Sequence, residues 1–447
     1  MTNSEDKIIN REQKVLHTVF KGEILPGINL TSIQTDKFKT GCLTVNLIGT
    51  LSRKTAAASA LLPRVLRRGC TELPDMEHIS AALDELYGTR IEPLVRKKGE
   101  LHCIGLFANF PDDRYIPGGE NILEESAKLI GQLLTSPNMQ DGIFRSDYVE
   151  SEKANLIDDI RAAINDKRGY AIDRLLEEMC PEEAYGVSKL GTEDEAIAIT
   201  PQSLTEYYQK LLTSSRIEVF YCGTAEPERV LKALRPALSA LKERSGTDLP
   251  KTQVILSPPK GAPRRFTETL DVSQGKLTVG FRLGQAMETP DYAALIVFNS
   301  IYGGSVTSKL FLNVREKLSL CYYASSMLDK HKGIMLVASG VEFAKFETAL
   351  DEIMHQLRLV KDGEISEWEL TSAIRYVITA IKSGLDRPGG LEELYFDSMI
   401  SATPYDPVEV CEKIEAVTME DIVKTASGVE TDMIFFLTGE GGSNNES

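Results

Sequence analysis

The sequence predicts an α+β fold built from two related halves. Runs rich in β-branched residues alternate along the 447 residues with stretches whose apolar residues recur at helical spacing. Several short strings of the first half return in the same order in the second half, displaced by roughly 220 residues, which is typical of an internal duplication. Together these observations predict two similar units of alternating strands and helices.

Four segments of the first half illustrate the alternation. Residues 41–48 are rich in β-branched residues with rough alternation, which predicts a strand. Residues 77–87 carry apolar residues near helical spacing, which predicts an amphipathic helix. The charged run of residues 145–179 also carries regularly spaced apolar residues, so we predict one or two helices there. Residues 217–222 form a further predicted strand, which ends at a glycine.

The duplication rests on three pairs of matching strings. One match between short apolar patterns has little weight, because such patterns are common, but three in the same order indicate a repeat. The matching segments are residues 41–45 with 275–279, 199–204 with 417–422, and 217–223 with 433–439.

The same pattern divides the chain into four parts. Residues 1–242 form the N-terminal half, and residues 266–440 form the homologous C-terminal half. Between them, residues 243–265 are rich in proline, lysine, serine and glycine, which predicts a linker. Residues 441–447 are small or polar, and we expect a disordered tail there.

The composition is that of an ordinary globular protein with an acidic surface. Lys and Arg number 50 against 66 Asp and Glu, which gives a net charge of −16. Because phosphate binding needs clustered cations, this charge disfavours nucleic acids and anionic membranes as partners. The N-terminus lacks an apolar signal segment and no stretch approaches ~18 apolar residues, so we expect a cytoplasmic protein.

The seven cysteines are scattered and include no C-x-x-C pair, which argues against a disulfide framework or a thiolate zinc site. Several lie in apolar runs, as Cys222 does, so we expect buried, reduced thiols. No G-x-S-x-G string occurs, and we identify no cysteine with a histidine placed to activate it, so a serine or cysteine peptidase is not supported.

Several short motifs resemble one known family. In the first half, RRGCTELP at residues 67–74 is followed by LDELYG at residues 83–88. The further matching strings are AYG at 184–186, LGTE at 190–193, IT at 199–200, YGGS at 302–305, SKLF at 308–311, VREK at 314–317 and SLCY at 319–322. In this order they resemble the motifs of the insulinase/pitrilysin peptidase family over nearly the whole chain.

The resemblance implies a layout for each half. Both halves should contain an antiparallel-rich sheet covered by helices, as in one half of the clamshell that insulinases and processing peptidases form. Among bacterial relatives, the chain is similar to zinc-less members associated with the modification of elongation factor P.

The chain departs from the family at the position where zinc binds. Family members hold Zn²⁺ with an inverted H-x-x-E-H motif on a helix, in which the glutamate activates the metal-bound water. The matching positions carry Ala60 and Arg64 in place of the histidines and Pro63 in place of the glutamate. Alanine and arginine cannot ligate zinc, and Pro63 is expected to disturb the helix. No H-x-x-x-H spacing occurs anywhere among the five histidines.

The family's distal acidic pair, which carries the third zinc ligand, becomes Glu152 and Asp159. Without histidine partners we interpret these carboxylates as a solvated acidic face of a long helix. Arg64, Arg67 and Arg68 put positive charge where zinc would lie, which fits either binding of a substrate carboxylate or a solvated helix end. We therefore predict no catalytic residue and no metal in this chain.

A second motif of the family is better preserved. The resemblance implies that Arg315 and Tyr322 bind the backbone of a peptide substrate, because arginine offers a fork of donors and a tyrosine hydroxyl can donate to a carbonyl oxygen. Alternatively, Arg315 forms a structural ion pair with a neighbour such as Glu316 or Asp329, and Tyr322 is an ordinary half-buried strand residue. The adjacent Tyr323 leaves the assignment of the tyrosine open by one position.

The resemblance therefore implies a non-catalytic, zinc-less subunit that pairs with a zinc-bearing homologue and supplies an arginine and a tyrosine for peptide processing. Zinc is expected only in that partner, and the ligand is a peptide or an unfolded protein segment. The alternative is a homodimeric peptide-binding or scaffold protein with no proteolytic role. An active zinc peptidase with a diverged site is a third hypothesis, which metal analysis decides.

Overall fold

The computed structural model describes residues 18–118, 121–242, 244, 248–286, 292–401 and 406–439. The predicted tail, residues 441–447, lies outside this part of the chain, as does part of the predicted linker. The strands in order are β1 (Thr18–Leu25), β2 (Ile28–Gln34), β3 (Thr40–Thr50), β4 (Arg90–Lys98), β5 (Leu101–Pro111), β6 (Met139–Gln140), β7 (Ile143–Phe144), β8 (Arg216–Gly223), β9 (Arg264–Thr269), β10 (Gly275–Arg282), β11 (Cys321–Asp329), β12 (Ile334–Val341) and β13 (Glu430–Thr438).

The strands form two large sheets that share the same topology over five strands, and β1 adds a sixth strand to the first sheet. The first has the order β1-β2-β8-β3-β5-β4 and the second has the order β11-β12-β10-β13-β9, with β6 and β7 as a separate small ribbon. In each sheet one pair is parallel, β2 with β8 and β9 with β13, and all other neighbours are antiparallel. This confirms the predicted antiparallel-rich sheets and the α+β class, and the shared topology is that expected of the matching strings.

Helices cover the sheets. They are α1 (Ala56–Leu66), α2 (Met76–Glu85), α3 (Ile122–Thr135), α4 (Ser146–Ala162), α5 (Lys167–Met179), α6 (Glu193–Ile197), α7 (Pro201–Ser214), α8 (Pro227–Ala237), α9 (Tyr292–Asn299), α10 (Phe346–Lys361), α11 (Glu367–Gly384), α12 (Pro388–Ile400), α13 (Pro407–Glu415) and α14 (Met419–Ser427). Two π-helical segments, Ser300–Gly304 and Leu310–Lys317, follow α9.

The repeated strings begin corresponding helices in the two halves. Thr200 caps α7 and Thr418 caps α14, each in a reciprocal capping box with the residue three positions later. Each helix leads into a strand with a parallel neighbour, β8 or β13. In both helices the threonine side chain accepts from the backbone N–H three residues later, and that residue's side chain accepts from the threonine N–H. The two halves therefore share these individual hydrogen bonds as well as the order of their elements.

The two halves exchange helices. From the first half, α5 packs its Leu175 and Met179 against the second sheet, where a Cβ on Gly280 would lie only 2.5 Å from the Met179 Sδ. From the second half, α12 packs Leu391 and Tyr395 against the outer face of the first sheet. Each half therefore contributes a helix to the packing of the other half.

A buried network of charged groups also joins the halves. Lys332, in the turn between β11 and β12, lies 2.9 Å from Glu100 and 2.7 Å from Glu183. Arg282 of β10 lies 2.6 Å from Glu183 and 2.9 Å from Asp432. Burial raises the pKa of the Glu183 carboxyl, but the hydrogen bonds from Arg282 and Lys332 outweigh it and the net pKa is lowered.

The seven cysteines are buried, as their apolar surroundings in the sequence predict, and none is in a disulfide in the structure. Burial raises the pKa of Cys103, Cys180 and Cys222 to about 12, so these sulfurs are poor nucleophiles at neutral pH. Among the described residues, no helix is both long and apolar enough to cross a membrane.

Candidate functional site

The zinc position of the family lies on α1, which follows β3 and packs against the first sheet. Ala60 is completely buried in the core of this half. The helix continues through Pro63 to Leu66, so the expectation that this proline disturbs the helix is wrong. Pro63 stands in the last turn, where the missing N–H removes a single backbone hydrogen bond, and its own carbonyl still accepts from the Arg67 N–H at 3.1 Å.

Two guanidinium groups occupy the space between α1 and α4. The Arg64 Nη2 donates to the Asp159 Oδ2 at 2.7 Å, and the Arg68 Nη1 donates to the Glu152 Oε1 at 3.0 Å. The Arg68 guanidinium also lies 5.0 Å from the centre of the Tyr148 ring. The two helices that would share a metal ion in a zinc peptidase are therefore joined by direct salt bridges.

The two carboxylates differ in exposure. The side chain of Asp159 is 55% exposed, which agrees with the predicted solvated face, whereas that of Glu152 is only 14% exposed. The interpretation of Glu152 as part of a solvated face is therefore wrong, because the Arg68 guanidinium covers it. The sequence contained one signal for this arrangement, since Arg64 at a zinc-ligand position and Asp159 at the distal position carry opposite charges.

The residues at this position do not fit zinc. A methyl group, a pyrrolidine ring and a protonated guanidinium have no lone pair to donate, and both carboxylates already accept hydrogen bonds from arginine. Among the described residues, no group of three or more His, Cys, Asp or Glu side chains could hold a metal ion.

A shallow cleft of about 360 Å³ lies beside these salt bridges. Its lining joins the end of α1 to α4 and to the edge strand β4. The lining residues are Arg64, Arg67, Arg68, Met76, Pro93, Glu152 and Asn155.

The preserved arginine lies in the second half. Arg315 belongs to the π-helical segment Leu310–Lys317, and its guanidinium lies 4.7 Å from the centre of the Phe311 ring. Its Nε is 3.5 Å from the Glu316 Oε1, so the neighbouring ion pair that we considered is present. Both side chains are more than two fifths exposed, and an exposed pair at this distance contributes well under about 1 kcal/mol.

The preserved tyrosine lies at the start of β11. The side chain of Tyr322 is 67% exposed, so it is not a half-buried strand residue. Tyr323 is more enclosed, since the Arg168 guanidinium lies 4.6 Å from its ring centre and Gly340 leaves room for the ring on the adjacent strand. Of the two tyrosines, Tyr322 is the one whose side chain extends into solvent.

Arg315 and Tyr322 lie on elements that pack together. The Leu320 N–H donates to the Val314 carbonyl at 3.1 Å, which ties the end of the π-helical segment to β11. Burial raises the pKa of the Cys321 thiol, and the nearby charge of Arg315 partly offsets that rise. The two elements are therefore adjacent in the second half, and both side chains are exposed to solvent.

The fold and the site define a duplicated peptidase scaffold whose zinc position carries no zinc ligand. A family profile described as the inactive domain of peptidase M16 matches residues 198–377. The chain is 33% identical over 417 residues to the probable inactive metalloprotease YmfF of Bacillus subtilis, covering 93% of this chain and 97% of that protein. The chain belongs to the M16 peptidase family, as its motifs suggested, and is a member without the catalytic zinc site.

Two further comparisons show how widely the scaffold is used. The uncharacterized zinc protease YmxG of Bacillus subtilis is 24% identical over 313 residues, covering 68% of this chain and 73% of that protein. The crystal structure of a conserved protein from Enterococcus faecalis superposes with a TM-score of 0.86 and 29% identity, covering 96% of this chain and 100% of that one. The scaffold thus occurs in relatives named as zinc proteases and in one named as inactive.

Proposed function

We propose that this chain is the non-catalytic subunit of a two-chain peptidase. A zinc-bearing homologue supplies the metal and its ligands, and this chain supplies Arg315 and Tyr322 to hold the backbone of a peptide substrate. The observation that carries the proposal is a contrast within one chain. At the zinc position, arginine–carboxylate salt bridges stand where a metal ion would bind. In the second motif, the arginine and the tyrosine are still present, and both side chains are exposed to solvent.

The chemistry of the exposed pair supports this role. A guanidinium can donate two parallel hydrogen bonds to carbonyl or carboxylate oxygens. In Arg315 the contact with Glu316 is made by the Nε atom, at the long distance of 3.5 Å. A phenol hydroxyl in solvent can donate to an oxygen that gains negative charge during peptide cleavage. Such groups have their effect beside a metal-bound water, so the proposal requires the zinc to come from a second chain.

The relatives also support a pairing of one zinc-bearing chain with one chain that lacks zinc. Bacillus subtilis has both a relative named as an inactive metalloprotease and a relative named as a zinc protease. A zinc-bearing homologue in the same cell is what a chain of this kind needs as a partner. The substrate is expected to be a peptide or an unfolded segment, because backbone recognition requires an extended chain.

The test is peptide cleavage by a mixture of this chain with the zinc-bearing homologue from the same organism. We expect cleavage by the mixture to exceed that of either chain alone. Replacing Arg315 with alanine should lower kcat/KM of the mixture about 10- to 100-fold, the loss expected when one charge-assisted hydrogen bond is removed. The measurement is the initial rate of cleavage of a fluorogenic peptide.

Two matched variants separate substrate binding from a structural ion pair. Glu316→Gln removes the ion pair but keeps Arg315, and Arg375→Ala removes an exposed arginine of α11 in the same half. Both should leave the rate unchanged. If Glu316→Gln matches the loss in Arg315→Ala, or if Arg315→Ala has no effect, the contribution to substrate binding is wrong. Native mass spectrometry that finds a homodimer with no affinity for the homologue would favour a peptide-binding or scaffold protein instead.

A further inference from the structure

The edge strand β4 lies along one side of the cleft at the degenerate zinc position. It is the last strand of the first sheet, so within the described part of the chain one row of its backbone groups has no neighbouring strand. Such an edge can accept an extended peptide as an additional strand, provided that its outward N–H and C=O groups are available.

At the cleft, two features remove hydrogen-bonding groups from the outward-facing backbone of β4. Pro93 lies within β4 opposite Leu106 and has no N–H, so it offers no donor to an added strand. The carbonyl of Ile91 accepts a hydrogen bond from the Arg67 Nε at 2.7 Å, so that acceptor is already used within the chain. Because Ile91 and Pro93 are two residues apart, their backbone groups point in the same direction, and both interruptions fall on one edge.

The Arg67 side chain is held in place from several sides. Its Nη1 lies 2.9 Å from the Met76 Sδ at the start of α2, and its Nε is bonded to β4. Arg64, in the last turn of α1, and Arg68, just after the helix, are tied to α4 by their salt bridges. The end of α1 and the two residues after it are therefore anchored to α4, α2 and β4.

We propose that Arg67 and Pro93 close the β4 edge to strand addition, as a self-blocking contact built into the N-terminal half. An added strand would have to break the Arg67–Ile91 hydrogen bond and would still lack a donor at Pro93. The cleft at the former zinc position therefore does not receive an extended peptide. This inference concerns a different half from Arg315 and Tyr322 and holds whether or not these residues serve a partner.

The test uses a photoreactive group beside the edge. Glu92→p-benzoylphenylalanine places it on β4, and the probe is a short fluorescein-labelled peptide in which threonine and valine alternate between terminal lysines. With Arg67 and Pro93 intact we expect only background labelling. Adding Arg67→Ala and Pro93→Val, which free the carbonyl and restore an N–H, should raise labelling at least about tenfold, since two hydrogen bonds become available.

Further variants guard against trivial outcomes. Arg90→Ala removes an exposed arginine at the start of the same strand and should leave labelling at background. The single variant Pro93→Val keeps Arg67 and should give a labelling yield between those of the unaltered protein and the double variant. It replaces the double variant in the test if circular dichroism shows that the double variant does not fold. Strong labelling with Arg67 and Pro93 intact would overturn the proposal. So would folded variants whose labelling does not rise above background. Neither result would bear on the Arg315 assay, so the two proposals fail separately.

Discussion

Replacing Lys332 with methionine is expected to lower the free energy of unfolding by about 3–5 kcal/mol. The Lys332 side chain is 1% exposed and lies within 3 Å of the carboxylates of Glu100 and Glu183. Without its ammonium group both carboxylates stay buried, and Glu100 loses its buried ion pair. Methionine has a similar volume, so the loss reports the missing charge more than a cavity.

Urea denaturation followed by circular dichroism measures this change. The matched control is Lys345→Met, which removes a lysine from an exposed ion pair with Glu342 on the surface of the same half. Loss of that pair should cost under about 1 kcal/mol. If Lys332→Met costs no more than the control, the network does not hold the halves together.

The second large effect is expected for Asp397→Asn. Asp397, on α12, lies 3.0 Å from Lys98 and 2.6 Å from Lys330, and it is 3.2 Å from the His331 ring, so its carboxylate binds groups from both halves. Burial raises the pKa of its carboxyl, but the hydrogen bond from His331 and the charges of Lys330 and Lys98 outweigh it, and the net pKa lies far below the usual range. The neutral amide should cost about 3 kcal/mol or more at neutral pH, because buried cations lose their counter-charge.

This cost should depend on pH in a defined direction. A carboxyl whose pKa is lower in the folded state than in the unfolded state contributes stability above its unfolded pKa, near about 4. That contribution is lost as the pH falls through the folded pKa. The difference in unfolding free energy between the unaltered protein and Asp397→Asn should therefore shrink as the pH falls below about 4. Asp386→Asn, at an exposed ion pair with Lys37, should show little difference at any pH. A difference that grows on acidification would contradict the account.

Much of the fold could be predicted from local patterns. The predicted strand at residues 41–48 is β3 (Thr40–Thr50), and the predicted helix at residues 77–87 is α2 (Met76–Glu85). Both patterns report how one element places its apolar side chains, which is a property of a short segment. The duplication could be detected for a similar reason, since the same capping and strand patterns recur.

The exchange of helices could not be predicted in this way. The apolar spacing in residues 145–179 predicts the helices that form there, α4 and α5, but not the surface that each one covers. In the structure α4 packs against α1, while α5 crosses to the second sheet above Gly280. An apolar stripe in the sequence indicates that one face of a helix is buried. Which element packs against that face depends on the three-dimensional path of the chain.

The site was predictable residue by residue but not as an arrangement. Alignment of motifs located Arg64 and Asp159 as degenerate positions, yet their salt bridge depends on how α1 and α4 approach each other. The buried partners of Lys332 could not be predicted either, because a charged residue in a turn is most often solvent-exposed. Pairing between charges distant in sequence is decided by packing, which local patterns do not contain.

The most direct test of the central claim is the metal content of the purified chain, measured by inductively coupled plasma mass spectrometry beside a peptide-cleavage assay of the same sample. The arginine–carboxylate cross-link between α1 and α4 predicts zinc far below one equivalent and no cleavage by the chain alone. About one tightly held zinc ion per chain, together with cleavage that a chelator abolishes, would contradict it.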